Sequence, residues 1–551
     1  NRKVNNDMKK IGLIVIFLAA MVSVWAVPAH KRGILVAQPD GSQITVYQHG
    51  DEFFHWETNE KGEWISKDKN GFYELVPALT ETEIVSRRAT APRKRITEQQ
   101  QASELNIAPR GLIILVNFAD VAFKTDKAEL DSMLTGENYT RNYSYVYNKY
   151  TYNISSNGSA RQYFQDASFG QYNPQFDVVG PVTLSETMAY YGKNNPSTGQ
   201  DMRPEEMILD ACRLVDDSVD FTLYDNNNDG VVDFVYVFYA GFGEADGGGA
   251  NTIWPHQYFA SWWETVRLDG KKIDRYACSN ELSFYSKMHD GIGPFCHEFS
   301  HVLGLPDLYT TDGASHRTCV DWDILDYGPY TNDSNTPPSY SAYERFFMGW
   351  LTPRILTESE MVTLKDLQTH NEALLISTTG THNLVGNDPK PTTFYLLENR
   401  QQTGWDEYLP GHGMMLTKVQ YNTSKWLNNE VNNTKTRMGV DIIEADGIAA
   451  DYSNYGSNVN YWGKPGDLFP TGATEYMGIT EYPIKDIQEE DGVITFNFKD
   501  ATSSTEDVEA NNEVLAIYNI LGQKQTTTDI EALPRGTYIV VRSSGSHKVV
   551  R

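Results

Sequence analysis

His297 and His301 stand four residues apart in the run Phe295-Cys296-His297-Glu298-Phe299-Ser300-His301-Val302-Leu303-Gly304-Leu305-Pro306-Asp307. On a helix that spacing puts both imidazoles on one face, a turn apart, where they can hold a single zinc ion. Glu298, beside the first ligand, is placed to take a proton from an attacking water. Gly304 can adopt a positive φ and close the helix, and Pro306 cannot continue it. The chain then turns back and Asp307 can supply a third, carboxylate ligand. Three protein ligands with a fourth position open are the catalytic form of a zinc site. The plainer readings are an amphipathic helix carrying two hydrogen-bonded histidines, and an Asp307 that only caps a turn.

A second pattern suits a harder cation. Asp225-Asn226-Asn227-Asn228-Asp229-Gly230-Val231-Val232-Asp233 offers side-chain oxygens from Asp225, Asn227, Asp229 and Asp233, and the carbonyl of Val231, with glycine at the sixth place. That is most of a calcium loop. Tyr236 stands where an EF-hand has its bidentate glutamate, which argues against a true EF-hand, and calcium here would be structural. An Asn/Asp-rich turn without metal is the alternative.

The elements that must position these groups are legible in outline. A chain of 551 residues, 40% apolar and 22% charged, is of ordinary globular composition, enough for roughly three or four domains. Its 46 basic and 73 acidic residues give a net charge of −27, which repels phosphate backbones and argues against a nucleic-acid partner. Residues 33 to 77 alternate apolar and polar positions between turn signals, the pattern of a small β-rich module. The basic stretch Arg87-Arg88 and Arg93-Lys94-Arg95 follows and reads as an exposed linker, either a processing site or a solvated charge run. Gly111 to Val116 is a buried-strand signature opening a mixed unit that runs to about Pro353. From 355 to 500 short β runs recur between turns. Residues 501 to 512 are a polar linker, and 513 to 551 alternate as a small β tail.

Export is indicated at the N-terminus. Arg2, Lys3, Lys9 and Lys10 precede the apolar run Ile11 to Val24, and Val24-x-Ala26 offers small residues for cleavage. The run is short of the roughly 20 residues that span a bilayer, so a secretory signal over 1–26 is expected rather than a stable transmembrane span. The four cysteines, Cys212, Cys278, Cys296 and Cys319, permit disulfides in that compartment, or are isolated buried thiols.

The zinc run followed by Asp321-Trp322-Asp323-Ile324-Leu325-Asp326-Tyr327-Gly328 resembles the secreted immune inhibitor A-like metalloproteases, a metzincin-related family. Tyr163-Phe164, Ser168-Phe169-Gly170, the glycine-rich loop after Glu244, Ile253 to His256, Tyr395 to Arg400 and Leu409 to Gly413 carry the resemblance over most of residues 110 to 500. It implies a methionine in the turn beneath the zinc, where this chain has Leu325, of similar volume and polarity. It also implies a hydroxyl donor for the developing oxyanion, a place that Tyr327 matches. The tail, with Val514 to Lys524 and Leu533 to Val541, resembles C-terminal sorting domains of the type nine secretion system, which would make secretion machinery a partner.

The expected architecture is therefore multidomain, an α+β zincin-like (metzincin-type) catalytic domain over 110–354. A small β-rich prosegment over 27–109 and C-terminal β-rich units would flank it. The expected function is that of a secreted or cell-surface zinc endopeptidase with structural calcium, acting on protein or peptide substrates and made as a precursor. A surface adhesion protein on a calcium-stabilised protease-like scaffold is the rival, and hydrolysis of a non-peptide amide or ester shares the site.

Overall fold

The structure is a computed structural model that describes residues 27–89, 109–196, 198–314, 316–449, 462–499, 514–542 and 545–550. The expected signal segment, the basic run at 93–95 and the 501–512 linker lie outside the described residues.

The N-terminal module is an antiparallel meander. Strands β1 (Ile34–Ala37), β2 (Gln43–Gly50), β3 (His55–Thr58), β4 (Trp64–Lys67) and β5 (Tyr73–Leu75) pair in sequence order, as the alternation and the tight turns between them require. Helix α1 (Glu81–Ala89) follows. Here the linker expectation is corrected: Arg87 and Arg88 lie on this helix, and Arg88 is buried. A buried guanidinium must be paired, and Arg88 pairs with Asp51 while its Nε donates to the Thr311 carbonyl at 2.6 Å. The helix is thereby pinned to the loop that follows Asp307.

The central unit contains β6 (Arg110–Asn117), α2 (Lys127–Thr135), the hairpin β7 (Asn142–Tyr147) and β8 (Tyr150–Ser155), α3 (Ala160–Ala167) and β9 (Gln175–Thr183). It continues with α4 (Met188–Gly192), α5 (Pro204–Val215), β10 (Val235–Phe242), β11 (His256–Phe259), the hairpin β12 (Val266–Leu268) and β13 (Lys271–Ile273), and β14 (Arg275–Leu282). Helices α6 (Gly293–Val302) and α7 (Ala342–Phe347) complete it. Its main sheet has the order β11-β14-β10-β6-β9, with parallel pairs throughout except the antiparallel edge strand β11. The continuous apolar run of β6 is explained by burial on both faces. Ile113 and Leu115 enter the core that holds α6, whereas Leu112, Ile114 and Val116 enter the core under α5.

The following β-rich unit has two sheets. One is five-stranded, from β15 (Arg354–Ile355), β17 (Leu374–Ile376), β18 (Thr393–Arg400), β19 (Gly413–Gln420) and β20 (Val440–Ile442); the other is three-stranded, from β16 (Glu360–Leu364), β22 (Val493–Phe498) and β21 (Ile484–Glu490). Short helices α8 (Leu367–His370) and α9 (Thr423–Leu427) interrupt them. The unit is locked to the central one by a buried charge cluster. Arg400 grips Asp406 through two 2.7 Å hydrogen bonds and meets Glu398 at 3.1 Å. Those carboxylates accept from the backbone of Ala342 and Ser339 in turn. The tail folds as a three-stranded antiparallel sheet of β23 (Val514–Asn519), β24 (Thr537–Arg542) and β25 (Gly545–Val550). All four cysteines are free and buried, so of the two readings offered by their count the isolated thiols hold. No helix among the described residues is long and apolar enough to cross a membrane.

Candidate metal centre

Helix α6 carries the histidine pair, and its whole surface is buried. The face away from the histidines fixes its position: Phe295 and Phe299 pack edge-on against Phe176 at 5.2 and 5.3 Å, and Phe299 meets Phe164 and Phe234 at 4.9 Å. Gly304 adopts φ +97 and its N–H closes on the His301 carbonyl, ending the helix as the sequence requires. The chain reverses and delivers Asp307.

His297, His301 and Asp307 converge. The two Nε2 atoms are 3.0 Å apart, and Asp307 Oδ1 lies 3.2 Å from each. Donors about 2.0–2.1 Å from one tetrahedral zinc ion would be separated by about 3.3 Å, so the triangle has the right size. Nδ1 of His297 is 2.7 Å from the Ile324 carbonyl, and Nδ1 of His301 is 2.8 Å from that of Leu305. A carbonyl can only accept, so each ring carries its proton on Nδ1 and turns an Nε2 lone pair inward. Asp307 Oδ1 is buried with no hydrogen-bond partner, which is costly unless a cation takes it. The donor set therefore fits zinc. Among the described residues no other group of three or more His, Cys, Asp or Glu brings its ligand atoms within 4.8 Å.

The second ring of contacts reaches across the molecule. Asn429, just beyond α9, accepts from the Asp307 N–H at 2.8 Å and donates to Asp307 Oδ2 at 2.5 Å. Ile324 and Leu325 form the floor: Leu325 is fully buried and its carbonyl accepts from Leu308. Burial acts to raise the Asp307 carboxyl; positive charge on the two imidazoles, whose place a bound cation takes when the rings are neutral, outweighs it and holds the group at about 2. Glu298 shows the opposite balance. Burial first, and then the charge of Asp307, push its carboxyl well above the usual carboxylate range.

Glu298 does not face open solvent. Its Oε1 accepts from the backbone N–H of Val27 at 2.8 Å, and its Oε2 is buried with no hydrogen-bond partner. Trp254 Nε1 donates to the Val27 carbonyl at 2.9 Å, and Tyr330 donates to that of Pro28 at 2.5 Å. The segment before β1 thus lies against the site. Trp254 and Tyr330 are donors that residue types and spacing did not reveal. Trp254 was visible only as part of a shared motif, and Tyr330 carried no signal.

Tyr327 is in the same wall, buried, with its ring 4.7 Å from that of Trp462 and the Arg317 guanidinium 5.1 Å from its centroid. His256 is a core residue held at both ring nitrogens, 2.6 Å from the Trp254 carbonyl and 2.8 Å from the Tyr276 hydroxyl. Glu244 accepts from Asn194 at 2.6 Å and faces His55 at 3.4 Å.

The loop Asp225, Asn227, Asp229, Val231 and Asp233 is a turn whose oxygens have local partners. Asp225 accepts from the N–H groups of Asp229 and Gly230, and Lys271 on β13 places its ammonium 2.6 Å from Asp225 Oδ2. Asp233 Oδ2 accepts from the Asn226 backbone at 3.0 Å and from its side chain.

With this geometry in view, the comparisons with known proteins are specific. Residues 106–351 match the family described as "Immune inhibitor A peptidase M6, catalytic domain". Over 217 residues the chain is 28% identical to the pre-pro-metalloprotease PrtV of Vibrio cholerae, covering 34% of this chain and 23% of that protein. Over 215 residues it is 26% identical to immune inhibitor A of Bacillus thuringiensis, covering 34% of this chain and 31% of that protein. The matches span less than a third of either relative's length. The region that holds the His-His-Asp group is thus similar to the catalytic domains of immune inhibitor A-like metalloproteases.

Proposed function

We propose that this chain is an exported zinc endopeptidase, made as a precursor, that hydrolyses peptide bonds of extracellular proteins on a metzincin-type catalytic domain. The observation that carries the reading is the donor triangle of His297, His301 and Asp307 with Glu298 beside it. Bound zinc would lower the pKa of water and polarise the peptide carbonyl. Glu298 would take the proton of the attacking water and return it to the departing amine nitrogen, a shuttle suited to a carboxyl raised by burial. Tyr327 and Tyr330 are the hydroxyl donors on hand for the oxyanion. Tyr330 is favoured by its present bond to a backbone carbonyl in the cleft.

Residues 27 to about 109 act as a prosegment. What supports this is the seat of Val27 on Glu298, the docking of α1 through Arg88 on Thr311, and the likeness to a Vibrio pre-pro-metalloprotease. Removal of a signal after Ala26 makes the nitrogen at Glu298 the terminal amine of the chain, a cation beside a carboxylate. Calcium at the 225–233 loop belongs to the same reading and requires Lys271 to leave Asp225. The tail acts as a sorting signal recognised by secretion machinery, a role supported by its sequence pattern.

The test is casein hydrolysis by the purified chain, nicked by limited trypsin, and by its Glu298→Ala variant, with zinc quantified in both. Zinc in both and activity only in the parent is expected. No zinc in the parent would remove the catalytic reading and favour a surface adhesion protein.

A further inference from the structure

Arg32 sits in a pocket built for a cation. Its guanidinium carbon lies 4.4 Å from the centroid of the Tyr152 ring and 4.6 Å from that of Tyr285, so the planar group is held between two aromatic faces. Nη1 is 3.2 Å from Asp333 Oδ1 and donates to the Tyr145 hydroxyl, which in turn donates to Asp333 at 2.7 Å. The hydroxyl of Tyr285 donates to the Arg32 carbonyl at 2.6 Å, fixing the backbone as well.

Every wall of this pocket belongs to the central unit, and only its occupant belongs to the N-terminal segment. Tyr145 and Tyr152 face each other across the β7–β8 hairpin with rings 5.1 Å apart. Asp333 is held in place by a costly backbone. Asn332, Asp333 and Ser334 have φ of 48, 55 and 64, three successive non-glycine residues in the left-handed region, a conformation that survives only where the surroundings enforce it. The Ser334 carbonyl accepts from Gly293, the first residue of α6, at 2.8 Å. The acid is therefore positioned relative to the helix that carries His297 and His301 by contacts within the central unit.

The direction of the occupying chain relates the pocket to a substrate. A hydrolysed peptide leaves its new amine nitrogen beside Glu298, and in the structure that nitrogen is Val27's. Residues 27 to 32 then trace the path of the departing half of a substrate, with Val27 first and Arg32 sixth. Five residue steps reach at most about 17 Å. Along them the His30 backbone N–H donates to the Ala245 carbonyl at 2.8 Å, which ties the segment to the central unit.

We propose that Tyr145, Tyr152, Tyr285 and Asp333 form a substrate subsite for an arginine or lysine side chain, six residues after the cleaved bond. The prosegment fills it with Arg32 until it is released. The inference rests on the endopeptidase reading and adds a substrate preference to it.

The experiment uses the full chain, nicked in the 90–108 segment by limited trypsin and separated from the released fragment. It is given four quenched fluorescent peptides that differ only at the sixth residue after the cleaved bond: Arg, Lys, norleucine or Glu, with mass spectrometry fixing the bond cut. The expected kcat/KM is about tenfold or more higher for Arg and Lys than for norleucine, lowest for Glu, with the gap narrowing as salt is raised. In Asp333→Asn the ratio of Arg to norleucine falls toward one. Four peptides cut within twofold of one another would overturn the subsite, as would a preference that survives Asp333→Asn. Binding of the same peptides, fluorescein-labelled, to nicked Glu298→Ala is read by anisotropy and needs no catalysis. The same order of affinity with no cleavage by the parent would keep the pocket and reject the endopeptidase. Equal affinities would reject the pocket whatever the parent cleaves.

Discussion

Asn429 and Asp307, 122 residues apart in sequence, exchange two hydrogen bonds: Asp307 N–H to Asn429 Oδ1 at 2.8 Å, and Asn429 Nδ2 to Asp307 Oδ2 at 2.5 Å. One amide side chain thus aims the carboxylate of the His-His-Asp group, leaving Oδ1 to face the imidazoles. The β-rich unit that follows therefore helps to build the candidate metal centre.

From this pairing, Asn429→Ala is expected to weaken zinc binding by about 10- to 100-fold, the usual effect of removing a partner that orients a metal ligand. Activity measured at saturating zinc should recover in large part, because the ligands themselves remain. Zinc affinity from competition with a chromophoric chelator decides the matter. An unchanged affinity would mean that the Asp307 loop is fixed by its own turn alone.

How much of this was legible in the sequence follows the length scale of each contact. The triad was legible because His297, His301, Gly304 and Asp307 interact within one helix and its reversal, where spacing dictates direction. The strands β6 and β10 were legible as continuous apolar runs, and the meander of the N-terminal module as alternation between turns. Asn429, Trp254, Tyr330 and Arg32 act on residues far along the chain, and no local pattern distinguishes them from other polar or aromatic residues. Arg88 misled for the same reason. A basic pair reads as exposed unless its acid, here Asp51, is known to be buried with it. The loop at 225 offers oxygens at alternate places whether it binds a cation or folds onto its own N–H groups.

Stability should fall as pH rises from about 6.5 to 8.5. Burial pushes the Glu244 carboxyl up to about 8, only partly opposed by the Asn194 hydrogen bond, and pushes those of Asp326 and Glu398 to about 7. An acid with a raised folded pKa contributes stability that is complete below its unfolded value and is lost as pH rises through the folded one. Buried histidines such as His49, lowered to about 3 by burial, act in the opposite direction but only below about 6.5. Above that pH the acids act alone, each worth about 1.4 kcal/mol per pH unit until it ionises. Melting temperatures across this range should decline, and Glu244→Gln should flatten the decline near pH 8. A flat profile in the parent would show that these acids are already ionised in the folded chain.

The calcium proposal turns on Lys271. Its ammonium lies 2.6 Å from Asp225 Oδ2, where a cation would bind. Calcium at about 1 mM, the range in which extracellular calcium modules bind, is expected to raise the melting temperature by displacing it. Lys271→Met should enlarge the rise by removing the competitor, and a chelator should reverse it. If neither protein responds, the loop is a turn closed by its own hydrogen bonds, and Lys271 is its permanent counter-ion.

Latency is the last consequence of the Val27–Glu298 contact. A segment that bonds the proposed proton shuttle, Glu298, and is held by Trp254 and Tyr330 should keep the uncut chain nearly inactive. Limited trypsin is expected to raise casein hydrolysis by about tenfold or more. N-terminal sequencing of the product should place the cut at Arg93 to Arg95 rather than at Arg88, because Arg88 is buried against Asp51 and Thr311 and does not fit a protease cleft while α1 stays docked. A variant lacking residues 27 to 31 but keeping β1 to β5 should bind zinc normally and be active without cutting, since the shuttle is then open to water and substrate. Uncut parent chain as active as the nicked one would refute latency. A deletion variant that binds zinc but remains inactive until nicked would move the block from Val27 to the docked meander and helix.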